Sequence, residues 1–292
     1  MATLNDIQRQ IGAVKKTKQI TRAMNMVAAS KLRGAQSKME SFEPYASKFS
    51  HVLANLAGGI EADIHPLLVR KERITRLELL HFSGDRGLCG SFNTNLIAEA
   101  EKWLREQKSA DLECSLTTVG KKGRDYFQKR GVNLTASHVD VYGDIDISFV
   151  NQMTKNFIDR YLADEVDEVY MQYSRFVSMA RQVPTLVKLI PIEPPKVDDA
   201  GPSGAREYLC EPDPAELLIE LLPKHISVQI LNALLQNETS EHAARMAAMD
   251  NAAKNCTELI ENLTLAYNKA RQAAITAELM DIVGGAEALK KA

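Results

Sequence analysis

Apolar residues recurring at alternating steps of three and four constrain this chain more than any other feature. Near the C-terminal end they run Met246, Met249, Ala253, Cys256, Ile260, Leu263, Tyr267, Ala270, Ala274 and Ala277. That spacing is the repeat of a left-handed coiled coil. No proline interrupts it, and the first glycines, Gly284 and Gly285, read as a helix stop. A seam this long needs another helix to cover it. The other end of the chain supplies the same pattern: Leu4, Ile7, Ile11 and Val14, then Ala28, Leu32, Ala35, Met39, Phe42, Ala46, Phe49, Leu53 and Leu56. Between them lies a polar patch at Lys18, Thr21 and Asn25, which costs stability but can fix register. Pro44 is expected to kink or restart this helix, and Gly58-Gly59 to end it.

From Pro66 the grammar changes. Strands are expected at 77–82, 112–119, 134–139, 168–176 and 184–190, and helices at 93–107, 121–129 and 148–162. Strands alternating with helices of this length imply βαβ units and a mostly parallel sheet. The fold class is therefore α/β: a Rossmann-like central domain inserted between two long terminal helices that form an antiparallel coiled coil. The expected divisions are 1–58, 66–206 and 207–292, with a Pro/Gly/Asp-rich linker at 191–206. Pro212 and Pro214 open the last helical region, and Pro223 is expected to disturb its early part.

Composition excludes several functions. The 292 residues are 45% hydrophobic and 25% charged, with formal net charge −2. No apolar run is expected to reach the ~20 residues of a membrane span, and the N-terminus lacks the apolar region of a secretory signal. The four Cys (Cys89, Cys114, Cys210, Cys256) and six His are scattered, without metal-ligand spacing, so thiols and no metal site are expected. Asp144 and Asp146 lie in a Gly-containing turn and read as turn formers.

Two features leave alternatives open. Between Asp6 and Glu40 there is no acid, while Arg9, Lys15, Lys16, Lys18, Arg22, Lys31, Arg33 and Lys38 are basic. Such a face suits an acidic protein partner or plain solvent; nucleic acid fits less well, because aromatics are absent from the stretch. Second, Gly84-Asp85-Arg86-Gly87-Leu88-Cys89-Gly90 falls between a strand and a helix, where glycine-rich turns can cradle phosphates. Its spacing matches neither the dinucleotide fingerprint nor a P-loop, so a tight, closely packed connection is the rival reading.

At 1.5 Å per residue, antiparallel helices over 3–57 and 214–286 would span ~80 and ~105 Å. The second would overshoot the first by ~25 Å or more, leaving Leu279, Met280, Ile282 and Val283 without a partner inside the chain. The small residues Ala243, Ala244, Ala247, Ala248, Ala252 and Ala253 let the helices approach closely. A slender rod with an apolar tip and a basic flank suggests insertion into a sleeve built by other chains.

Four stretches carry a family resemblance. Ile20–Leu32, Ser83–Gly90, Ser240–Met249 and Tyr267–Thr276, in that order and at those separations, closely resemble the γ subunits of bacterial F-type ATP synthases. The resemblance covers essentially the whole chain. It implies a central rotor stalk whose terminal helices form a coiled coil inside an α₃β₃ ring, while the α/β domain sits with the ε subunit on the membrane c-ring. ATP chemistry would belong to the β subunits, no cofactor would be held, and one copy would serve each complex. Partners would be the α, β and ε subunits and the c-ring, with no nucleic acid and with membrane contact only through the complex. The location implied is peripheral, on the cytoplasmic face of the bacterial cell membrane. Carried over by position, Met24 and the Arg271, Gln272, Ile275, Thr276 patch would face the β subunits. Lys18 and Arg22 would meet acidic β loops, Arg86 would lie where the domain meets ε and the c-ring, and Ile282 and Val283 would belong to the tip. The chain departs from the pattern at Pro223, and it lacks the closely spaced Cys pair of the chloroplast type.

Overall fold

The structure, a computed structural model, describes residues 3–58, 65–193 and 213–291. They form two units: the chain up to Ala28 together with the chain from Met246 onward, and the chain from Ala29 to Arg245. The linker expected at 191–206 lies mostly outside the described residues, as do Gly59, Cys210 and Pro212.

Helix α1 runs Leu4–Gly58 and α5 runs Pro214–Lys291. The side chain of Asp6 accepts hydrogen bonds from the amide and hydroxyl of Thr3, and the Asp6 amide donates back to Thr3 Oγ1. This reciprocal cap fixes the start of α1 and holds the Asp6 carboxyl below its usual range. Asp213 caps α5, accepting from the Ala215 amide at 3.2 Å.

Three expectations about these helices are corrected. Pro44 does not restart its helix, and α5 continues through Pro223. A proline costs a helix interior ~3 kcal/mol, and packing on the flanking turns offsets that: Leu222 and Ile226 are fully buried on either side of Pro223, and Ala46 and Leu53 are buried after Pro44. Gly284-Gly285 does not stop α5, because a glycine costs only about 1 kcal/mol against alanine, too little to end a long helix. Finally, α5 is, by length and composition alone, apolar enough to cross a membrane. Its apolar residues Leu218, Leu222, Ile226, Ile230 and Leu234 are instead buried in the second unit's core.

Between the terminal helices come β1 (Arg76–Phe82), α2 (Phe92–Ser109), β2 (Glu113–Val119), α3 (Lys121–Lys129), β3 (Leu134–His138), α4 (Ile147–Leu162), β4 (Glu168–Ser178) and β5 (Arg181–Ile190). The strand order is β3-β2-β1-β4-β5, parallel except for β5, which pairs antiparallel with β4. Pro184, which cannot donate to a ladder, lies on this edge strand. Asp146 caps α4 through the Ser148 amide, as its turn-forming chemistry suggested.

Side chains of β1 alternate between two cores. Leu77 and Leu79 join Ile97, Ala100, Trp103 and Phe127 beneath α2 and α3. Leu80 and Phe82 join a larger core with α4 and parts of α1 and α5, including Leu53, Leu218 and Leu222. A strand buried on both faces is what a parallel sheet requires.

Two histidines are sealed in this unit. His81 bonds Gln172 and packs edge-on against Phe127, and the His225 ring stacks on Phe49. Burial pushes both pKa values down to about 4 from the usual 6.5. In that window the unfolded chain binds protons that the folded chain refuses. Stability is therefore full above pH 6.5 and falls as pH drops towards 4, by up to about 1.4 kcal/mol per pH unit for each histidine. Urea unfolding at pH 7, 6 and 5 is expected to show this loss, and His225→Phe to flatten the slope. A profile flat from pH 7 to 5 would show that these rings are not buried neutral.

Candidate functional site

In an open α/β sheet, ligands bind beyond the carboxyl ends of the strands where the strand order reverses. Here that position lies at the ends of β1 and β4, beside the glycine-rich loop 84–90. The protein fills it with its own helix. Asn237, Ser240, Glu241, Ala244 and Arg245 follow one another at steps of three and four, so they form one strip along α5. Asn237 accepts from the Ser174 amide at 3.2 Å and donates to the Tyr142 hydroxyl at 2.9 Å. Ser240 donates to the Ser174 carbonyl at 3.0 Å, so one β4 residue is gripped through both backbone groups. Ala244 packs against Cys89, Phe92 and Leu96.

Glu241 reaches furthest into the loop. A Cβ placed on Gly84 would lie 2.8 Å from the Glu241 Cδ, so only glycine leaves room for the carboxylate. Arg245 pairs with Glu241 and donates to the Gly87 carbonyl at 3.4 Å. A second carboxylate, Asp85, accepts from the amides of Lys121 (2.9 Å) and Asp140 (3.2 Å), and so covers the N-terminus of α3. The two places where a phosphate could dock thus carry carboxylates of the chain itself. The loop is the tight, closely packed connection, held further by Asn93, which accepts from the Gly84 amide at 2.8 Å and donates to the Arg86 carbonyl at 3.2 Å. Burial, with Glu241 and Asp85 nearby, raises the Tyr142 hydroxyl well above its ordinary value; burial and Glu241 also raise the Cys89 thiol. Both groups stay protonated and serve as neutral hydrogen-bonding partners. Among the described residues no group of three or more His, Cys, Asp or Glu could hold a metal.

The other unit pairs 4–28 of α1 with α5 from Met246. The Asn25 side chain donates to the Met246 carbonyl at 2.8 Å, tying the end of one segment to the start of the other. Ile7 lies ~27 Å further along α1 yet is buried, which only an antiparallel α5 can achieve. The polar seam residue Thr21 is buried too, its hydroxyl donating to the Lys18 carbonyl. On α5 the seam positions from Met249 to Ala274 are buried or half-buried, and from Ile275 onward every described side chain is exposed. With Asn25 level with Met246, α5 continues roughly 35 Å past Leu4, more than the minimum read from the sequence.

Most of the residues expected to meet partners lie here. Arg22, Arg271, Gln272, Ile275, Thr276, Ile282 and Val283 are exposed, and Lys18 and Met24 are half-buried. Ile282 is 68% and Val283 58% exposed, as are Met280 (68%) and Leu279 (56%) beside them. Arg86 is exposed in the glycine-rich loop and belongs to the other unit, so the structure does not join it to the rest. Exposed Ile20, Met26 and Val27 on α1, and Leu265 on α5, extend the apolar surface and were passed over in the sequence. So was the strip from Asn237 to Arg245. Its signal was available: polar residues at helical spacing, continuing the apolar stripe Leu222, Ile226, Ile230 and Leu234.

A family model described as ATP synthase matches residues 3–289. The chain is 52% identical to the ATP synthase gamma chain of Syntrophobacter fumaroxidans and covers all of both proteins. To the ATP synthase gamma chain of Syntrophus aciditrophicus it is 49% identical, again over the whole of both. Among solved structures, a chain of the Euglena gracilis mitochondrial ATP synthase superposes with a TM-score of 0.67 at 20% identity, covering 98% of this chain and 94% of that one. A chain from the central stalk and c-ring of the Tetrahymena thermophila mitochondrial ATP synthase gives 0.59 at 23% identity, covering 80% and 99%. At those identities the two structures speak for the fold alone.

Proposed function

The chain belongs to the ATP synthase gamma-chain family, and on that premise we propose that it is the central rotor stalk of a bacterial F-type ATP synthase. It couples proton flow through a membrane c-ring to the conformational cycle of catalytic β subunits. One observation carries the reading: α5 continues past its partner helix as a bare helix studded with Ile275, Leu279, Met280, Ile282 and Val283. Apolar side chains aligned on a protruding helix require a surrounding protein surface. A ring of α and β subunits provides one. Lys18, Arg22 and Met24 on α1, and Arg271, Gln272, Ile275 and Thr276 on α5, are the residues proposed to touch it, while Arg86 faces the ε subunit and the c-ring.

The chain itself is not proposed to hydrolyse or make ATP. The β subunits do so, and the crevice filled by Glu241 supports assigning nucleotide chemistry elsewhere. The shaft works by presenting different side chains to each β subunit as it turns; only such differential contact can bias three otherwise equal sites. One copy serves each complex, at the cytoplasmic face of the cell membrane, without touching lipid directly. The divisions 1–58, 66–206 and 207–292 are proposed as first terminal helix, foot domain and second terminal helix, with α1 from Ala29 and α5 up to Arg245 belonging to the foot's unit.

Co-expression with α and β subunits tests this. The expected product is a large assembly with one copy of this chain per three β subunits and an ATPase activity that depends on it. A free monomer or homodimer that ignores those subunits would reduce the chain to a coiled-coil scaffold.

A further inference from the structure

Resting on the rotor reading, we propose that the strip Asn237, Ser240, Glu241 and Arg245 is a key that locks α5 against twisting in the α/β unit, with Glu241 as its positioning residue. The apolar grip on α5, from Leu218 to Leu234, resists withdrawal but is non-directional. Rotation of a helix about its own axis is opposed best by directional contacts reaching out from its side. The strip supplies them at the end of the sheet, immediately before Met246, where the second unit ends. Asn237 and Ser240 are wholly buried and hold Ser174 from both sides, and Glu241 is 6% exposed. A turn of α5 that carries the Glu241 carboxylate towards Gly84 is blocked at once, because there is no space there even for a methyl group. Arg245 fixes that carboxylate from the same helix and touches the same loop at Gly87. Since α5 is one helix to Lys291, torsion on its far segment arrives at this key.

The test is a bead attached at the exposed Met179–Ala180 turn of the chain, within the assembled complex, with the ring fixed to a surface. At a catalytic dwell the angular variance of the bead reports the torsional stiffness of the path. Glu241→Ala removes the close contact at Gly84 and the brace on Arg245 but leaves the Asn237 and Ser240 bonds, so the variance is expected to rise by less than about twofold. A Gly84→Cys/Glu241→Cys chain gives an internal comparison. The Gly84 Cβ position lies 2.8 Å from Glu241 Cδ, so the two replacement side chains face each other at the same contact. With the bond verified by peptide mapping, the oxidised complex is expected to be as stiff as the unaltered one, and the same sample after reduction to soften like Glu241→Ala. Equal variance in the oxidised and reduced forms, or an unaltered variance in Glu241→Ala, would overturn the key. Failure of the unaltered complex to rotate at all would instead overturn the rotor reading beneath it.

Discussion

Replacing Arg160 with methionine is expected to destabilise the α/β unit by about 3–5 kcal/mol, a large part of the ~5–15 kcal/mol that holds a domain together. Glu78 lies on the central strand β1 and is fully buried, on the face that packs against α4. Its carboxylate has two partners: the Thr117 hydroxyl at 2.7 Å and the Arg160 guanidinium from α4. Arg160 itself is 20% exposed and turns its Nε towards Glu165, so half of its charge is served at the surface. Removing it leaves the carboxylate in the core with one neutral donor. The double change Glu78→Gln/Arg160→Met keeps the shape, retains a partner for Thr117 and buries no charge. It is expected to recover most of the loss, because a buried ion pair contributes little beyond satisfying itself. Urea unfolding of the three chains decides the matter. A loss below about 1 kcal/mol for the single change would mean that Glu78 is reached by water.

The second large effect belongs to the tip. Truncation after Ala277 removes Leu279, Met280, Ile282 and Val283, whose exposure ranges from 56% to 68%. Full burial of each such side chain contributes ~1.5–3 kcal/mol, and realising half of that for all four gives about 3–6 kcal/mol, at least roughly a hundredfold in affinity for a surrounding ring. Titration of α and β subunits with full and truncated chains, scored by stimulated ATPase activity, is expected to show that shift. The melting temperature should not move, because these side chains are exposed and belong to none of the cores of the described residues. Equal titrations would mean that the tip is free in the complex and that the shaft is held elsewhere.

How far the sequence could be read follows from which forces were local. The seam was legible residue by residue: each position named from Ile7 to Leu56 is buried or half-buried, the polar Lys18, Thr21 and Asn25 included. Period 3.5 in one helix already states that a second helix covers it. Asn25 shows why a polar seam residue survives: it uses its amide on the Met246 carbonyl, which sets register. The α/β strands and helices were legible for the same reason, and α3 falls at the expected 121–129. The restart expected at Pro44 and the stop expected at Gly284 were misread. Pro44, Pro223 and Gly284 are local signals, and the packing that overrides the prolines depends on which turns flank them in space. The direction of β5 was left open by a mostly parallel sheet, although the seven residues between 168–176 and 184–190 are too few for a parallel crossover.

The glycine-rich loop was the hardest reading. Sequence alone left both a phosphate cradle and a packed turn available, since both need glycine where the backbone is approached closely. What decides it is Glu241, far away in the chain, whose carboxylate occupies the space above Gly84. A tertiary partner at that separation leaves no trace in local spacing. The resemblance of Ser83–Gly90 and Ser240–Met249 to one family singles out both stretches without showing that they touch.

The measurement that bears most directly on the rotor reading is rotation itself. Complexes of this chain with α and β subunits, fixed through the ring and carrying a bead on the α/β unit, should turn on addition of ATP. The expected trace is unidirectional, with three equally spaced dwells per revolution, one for each β subunit that the asymmetric shaft addresses. A complex that hydrolyses ATP while the bead only fluctuates about one angle would contradict the account.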